Sequence, residues 1–298
     1  MTKKDNPLAP SKELPATEWE HFQLYKDVRE AISCLPVYFR TETHISGIMA
    51  TDLHTLNTVL GATIEEQVVR TLNLIRNTWD PDEKYALYSF VRQAQTFPDV
   101  LLRKTSSEEI LLGVELKGWY LLAKEAEPSL RFQATSAACA KPDLIVVVPW
   151  VLGNVISGSP ILFEPFIESA KYAADYRNYH WQYIRETKQG TGIEIQKGVG
   201  PYPSKSEQIL DKPHSDGGGN FGRLARTGMM DSYIAETRPR ATMRHQDRLL
   251  AAVPEGISGK HDRRGGPYRL GAFEAASAAG DGYPFTEGSI GTCDHRGT

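Results

Sequence analysis

Thr96-Phe97-Pro98-Asp99-Val100-Leu101-Leu102-Arg103, a polar turn from Lys104 to Glu109, then Ile110-Leu111-Leu112-Gly113-Val114-Glu115-Leu116-Lys117: this stretch decides the fold. Two apolar runs separated by a Ser- and Glu-rich turn predict a β-hairpin, with Val100 to Leu102 entering and Ile110 to Lys117 returning. Side chains alternate faces along a strand, so Glu115 and Lys117, two apart, point the same way. Asp99 stands where the first strand begins and is expected to face them across the hairpin. Two carboxylates and an ammonium would then meet inside a segment apolar enough to be core. Buried charges are costly unless they are paired or hold a metal. That spot is the candidate site.

Pro98-Asp99 followed by Glu115-Leu116-Lys117 resembles the signature of the PD-(D/E)XK nuclease superfamily, which includes many type II restriction endonucleases. The matching segment is about twenty residues long. Other copies in the chain fit less well. Pro81-Asp82-Glu83-Lys84 is too compressed, Pro142-Asp143 lacks a Glu-x-Lys on a following strand, and Glu186-Thr187-Lys188 sits at the end of an expected helix. The resemblance implies an α/β, restriction-endonuclease-like core, with a central mixed β-sheet flanked by helices. It implies Asp99 and Glu115 as ligands of Mg²⁺ and Lys117 as the group that orients the attacking water. It also implies a glutamate on a helix before the hairpin, for which Glu65 is preferred to Glu66 because it lies nearer the apolar face.

The whole chain, of 298 residues, has room for one large domain or two small ones. Its formal charge is −3, so no global basic field advertises nucleic acid, and any DNA-binding charge must be local. No apolar run reaches the ~20 residues of a membrane helix, and the N-terminus lacks the apolar segment of a signal peptide. Cys34, Cys139 and Cys293 are odd in number and far apart, which predicts neither a disulfide framework nor a zinc site and fits a reducing cytoplasm.

Residues 1–16 are polar and Pro-punctuated, an expected loose arm. Trp19 to Cys34 has helical spacing and stops before Pro36. Met49 to Trp79 carries the strongest helical signal, with Thr51 or Asp52 as cap and Leu53, Leu56, Leu60, Ile64, Val68, Leu72 and Ile75 as one stripe. Gly61 interrupts it at a cost of ~1 kcal/mol unless close packing needs a bare backbone. Leu130 to Thr135 predicts a further strand, and Asp143 to Trp150 a strand buried on both faces. Phe163 to Arg185 predicts a helix rich in aromatics, half of them packed on the sheet. Its Lys171, Arg177, His180 and Arg185 either face a phosphate backbone or merely solvate a cover helix.

Residues 189–230 mix Gly, Pro, basic and hydrogen-bonding side chains. They match neither a P-loop nor a dinucleotide fingerprint. Loops of this composition approach DNA closely, and Lys205, Asn220, Arg223 and Arg226 are the expected DNA contacts. From about residue 236 periodicity vanishes, as in a disordered tail or a translated frame-shift.

These readings predict a nuclease domain over 17–235, with 236–298 as an atypical tail. The expected activity is Mg²⁺-dependent, site-specific hydrolysis of double-stranded DNA by a cytoplasmic, bacterial-type restriction enzyme with no membrane partner. A homodimer matches the two-fold symmetry of palindromic sites. Alternatives are a repair or junction-resolving nuclease of the same superfamily, and an inactive DNA-binding relative whose three charges form only an ion-pair cluster.

Overall fold

The computed structural model describes residues 8–46, 53–93, 96–122, 127–154, 157–186 and 192–240. The expected cap residues Thr51 and Asp52 and the tail from 241 onward, with Cys293, lie outside the described residues. So do the first seven residues of the arm, Thr187 and Lys188, and 189–191 of the Gly-rich segment.

The chain opens with α1 (Phe22–Ser33) and the short α2 (Leu35–Tyr38). α1 stops at Ser33, before Pro36 as expected, and the separate α2 takes in the proline. Pro36 sits in the first turn of α2, where its missing N–H has no partner to lose. The long helix α3 (Leu53–Leu74) breaks at Ile75 before α4 (Arg76–Trp79). Leu60, Ile64, Val68 and Leu72 are buried, as the stripe requires. A Cβ placed on Gly61 would meet nothing within 4 Å, so packing does not demand a bare backbone there.

Three antiparallel strands follow: β1 (Tyr88–Arg92), β2 (Val100–Lys104) and β3 (Ile110–Tyr120). β1 was not among the expected strands, although Tyr88, Phe90 and Arg92 alternate with Ser89 and Val91. The next strand, β4 (Leu144–Leu152), runs parallel to β3 and is buried along its whole length. The β3-to-β4 connection holds a 3₁₀ turn, Ser136–Ala138. Contrary to expectation, Leu130 to Thr135 is not a strand. Arg131 and Ala134 form only single bridges, to Arg223 and Leu210, so the segment is anchored at points instead of along a ladder.

The other edge of β4 is shared by β5 (Pro160–Leu162) and β6 (Phe166–Ser169), both antiparallel to it. The expected helix from Phe163 to Arg185 therefore begins as a short strand. It becomes helical only at α5 (Ala170–Tyr179), where the Ser169 side chain accepts from the Tyr172 N–H, and ends in a wider turn, His180–Ile184. The short strands β7 (Ile193–Glu194) and β8 (Lys212–Pro213) pair with each other. Residues 231–240 are helical, which carries regular structure past the expected 235/236 boundary, and Thr237 is buried.

The result is an α/β fold with a six-stranded mixed sheet. Alternation along β4 splits the core in two. Leu144, Val146, Val148, Trp150 and Leu152 join α1 and α3, while Ile145, Val147 and Val151 join α5, Phe132, Leu224 and Met230. β3 splits the same way: Val114, Leu116 and Tyr120 face α3, and Trp119 faces the other side. Glu115 and Lys117 share the face of Trp119.

Of the aromatics on α5 and its following turn, Tyr172, Tyr176, Tyr179 and Tyr183 do not pack on the sheet. Their rings follow one another along the helix at 5.7, 6.2 and 5.5 Å. Trp181 is the ring on this segment that is buried, edge-on to Phe221.

Candidate functional site

Val100 pairs with Val114 across the hairpin. One further step outward along the antiparallel register sets Asp99 opposite Glu115. The hydrogen bonds follow from that placement. The Asp99 N–H donates to Glu115 Oε2 at 3.3 Å, and the Leu116 N–H donates to Asp99 Oδ2 at 3.0 Å. Lys117 Nζ completes the cluster, 3.1 Å from Asp99 Oδ2 and 2.6 Å from Glu115 Oε1. The three residues singled out in the sequence are therefore in mutual contact.

Gly113 makes this approach possible from beneath. A Cβ there would collide with the Pro98 ring and stand 3.0 Å from Asp143 Oδ1, so only glycine lets the Pro98-Asp99 segment lie on β3. The peptide bond preceding Pro98 is cis.

Burial dominates the electrostatics. It pushes the Glu115 carboxyl up to about 7; the Lys117 charge opposes that rise and the Asp99 charge adds to it. Burial acts to lower the Lys117 ammonium, but Glu115 and Asp99 together raise it above its ordinary value. The two shifts pull the pair in opposite senses, toward a neutral acid and toward a firm cation. One ammonium shared between two carboxylates cannot neutralise both, so Glu115, the more buried carboxylate, takes the penalty.

Glu65 sits on α3, partly buried, with Arg92 Nη2 3.4 Å from its Oε2. Burial raises its pKa first; Asp99 raises it further, whereas Lys117 and Arg92 lower it. It thus lies within electrostatic reach of the cluster, whereas Glu66 is exposed.

Carboxylate oxygens suit a hard cation. Among the described residues, no group of three or more His, Cys, Asp and Glu side chains is arranged to hold a metal ion. The donor set at this spot is two carboxylates, which fits an ion that keeps most of its own waters, as Mg²⁺ does.

The expected DNA contacts fall into two groups. Lys205 is on an exposed loop. Asn220, Arg223 and Arg226 line one cavity with Arg177, Trp181 and Arg185. Arg226 Nε is 2.8 Å from Glu127 Oε1, and its Nη1 donates to Asn220 Oδ1.

Arg177 is not a phosphate-facing residue. It is buried, with Nη2 2.6 Å from Asp211 Oδ2 and Nη1 donating to the carbonyls of Phe132 and Ala134 at 2.8 and 3.0 Å. Burial brings its pKa down to about 10 against the opposing pull of Asp211. Lys171 likewise turns inward to Ser136, 3.1 Å from its Oγ.

Among the buried acids that sequence reasoning missed, one lies beside the hairpin. Asp143, read as plain core, accepts from the N–H groups of Gly113 and Ala140, each at 2.7 Å, and from the Tyr202 hydroxyl at 3.0 Å. Burial pushes its pKa up to about 6 against those bonds. Tyr202 has φ +56°, a conformation unfavourable for a bulky side chain, so its bond to Asp143 ties a strained loop to the sheet.

No protein-family model matches this sequence, and no curated protein matches it either. Among the described residues, no helix is long and apolar enough to cross a membrane.

Proposed function

We propose that this chain is a Mg²⁺-dependent deoxyribonuclease of the PD-(D/E)XK kind, most like a type II restriction endonuclease, that hydrolyses phosphodiester bonds of double-stranded DNA. The observation that carries the reading is the meeting of Asp99, Glu115 and Lys117 on one face of the β2–β3 hairpin, where a buried carboxylate is left short of positive charge. Mg²⁺ held by Asp99 and Glu115 would supply the missing charge and lower the pKa of a bound water.

Asp99 and Glu115 present the oxygen ligands. Glu65 adds a third carboxylate at longer range. Lys117 is held as a cation and serves as a compact charge that orients the nucleophilic water and stabilises the oxyanion developing on phosphorus. In this reading Lys205, Asn220, Arg223 and Arg226 contact the DNA, and a homodimer presents two such sites to a palindrome in a bacterial cytoplasm.

A second reading is favoured by the bridge itself. Lys117 contacts both carboxylates, as a structural ion-pair cluster in an inactive DNA-binding relative would. Incubating the purified chain with plasmid and branched DNA separates these readings. Discrete Mg²⁺-dependent bands from plasmid support restriction, and preferential cutting at branches supports a repair or junction enzyme. Absence of cleavage with any divalent ion leaves the ion-pair cluster.

A further inference from the structure

A cavity of about 570 Å³ opens between the C-terminal end of α5 with its following turn and the 220–227 loop, and it shares no lining residue with the Asp99 cluster. Its walls carry Arg177, Arg185, Arg223 and Arg226, with Asn220 and Trp181. Arg177 is neutralised by Asp211, and Arg226 is engaged by Glu127 and Asn220. Arg185 lays its guanidinium over the Trp181 ring, 3.4 Å from the centroid.

Arg223 differs from Arg177 and Arg226. Its Nε is buried and has no hydrogen-bond partner among the described residues. A charged donor left buried without an acceptor is destabilising, so a retained one calls for an acceptor from outside the chain. Its backbone is held in place. Arg223 bridges Arg131, and the Phe132 N–H donates to the Gly222 carbonyl at 2.8 Å. Gly222 itself has φ +86°, and a Cβ there would press on Gln133 and the Phe132 carbonyl.

We infer that this cavity is a binding site for a phosphate group, with Arg223 as its principal ligand and Arg185 and Asn220 beside it. Guanidinium N–H pairs match phosphate oxygens in a planar fork, which an ammonium does not. Glu186 also lines the cavity, and Asp216 acts on Arg185, so binding relies on directed hydrogen bonds more than on a broad positive field. The volume lies within the range of small-molecule sites and exceeds what a bare phosphate needs, which leaves room for the ester that carries it. That ester is either a stretch of nucleic-acid backbone or a free nucleotide. Only the first case rests on the DNA-cleaving reading above.

The test is calorimetric titration of the full chain in EDTA with inorganic phosphate, deoxyadenosine 5′-monophosphate and duplex DNA. Wild type is compared with Arg223→Gln and Lys117→Ala. Affinity should fall about tenfold or more in Arg223→Gln, the loss of one charged hydrogen-bonding partner, and stay within a few-fold of wild type in Lys117→Ala. Arg223→Lys should also lose affinity, because it keeps the charge without the fork; it carries the comparison if the glutamine variant does not fold. Duplex binding that depends on Arg223 identifies nucleic acid as the source, whereas binding of the mononucleotide alone identifies a free ester. Either result holds whether or not the protein cuts DNA. The inference is overturned if no phosphate compound binds, if Arg223 variants bind like wild type, or if affinity is lost in Lys117→Ala instead.

Discussion

Lys117 Nζ stands 2.6 Å from Glu115 Oε1, although the two side chains leave the same strand two residues apart and Glu115 is only 8% exposed. In a site this dry the attraction between the two is offset by the cost of desolvating both charges, and whichever partner is removed leaves the other buried and uncompensated. That relationship makes the cluster testable residue by residue.

Removing the ammonium separates chemistry from folding. Lys117→Ala should reduce the cleavage rate by on the order of 10²–10³, the usual loss when one preorganised transition-state donor is deleted. Specific DNA binding should stay within a few-fold of wild type. Asp99→Ala and Glu115→Ala should lose both cleavage and Mg²⁺ affinity, measured by calorimetry. Wild-type cleavage by Lys117→Ala would show that the lysine is only an ion-pair partner.

The raised pKa of Glu115, about 7, sets a pH dependence. The folded protein holds this proton more tightly than the unfolded chain does. Its contribution to stability is therefore complete below the ordinary value of 4.5 and is lost as pH rises through about 7. A metal ligand must be deprotonated, so Mg²⁺ affinity should climb with pH over the same window and level off above it. Titrations at intervals from pH 5.5 to 8.5 check the slope, which should vanish in Glu115→Gln.

Gly61→Ala should stabilise the protein. The residue lies inside α3 with open space where a Cβ would go, so the alanine gains helix propensity of about 1 kcal/mol without a clash. Denaturant melts should show a higher midpoint at unchanged slope. A lower midpoint would mean that the helix packs more tightly at Gly61 than its surroundings indicate.

Arg177 and Asp211 form a buried pair, with side chains 1% and 0% exposed. Arg177→Met should cost about 3–5 kcal/mol, because it strands the Asp211 charge and frees the Phe132 and Ala134 carbonyls. Asp211→Asn should cost a comparable amount. The double variant should cost clearly less than the sum, since both singles break the same contact. Strict additivity in a double-mutant cycle would dismiss the pair as a unit.

The hairpin and its charged face were legible in the sequence because they depend on local rules. A turn of Ser and Glu between apolar runs, a period of two and an Asp at the strand entry suffice to bring Asp99, Glu115 and Lys117 together. The unbroken apolar run of β4 announced a doubly covered strand for the same reason. Other features had no local signal. Arg177 read as a surface cation because nothing near it in sequence neutralises it; Asp211, thirty-four residues on, does. Leu130 to Thr135 had strand composition but no neighbour to ladder with, and Phe166 to Ser169 had helical neighbours but met the free edge of β4. Asp143 looked like core until Gly113, Ala140 and Tyr202 converged on it. Composition and periodicity determine which face of an element is apolar, but the partner of a buried charge is chosen by chain segments far apart in sequence, and only the tertiary structure brings them within a hydrogen bond.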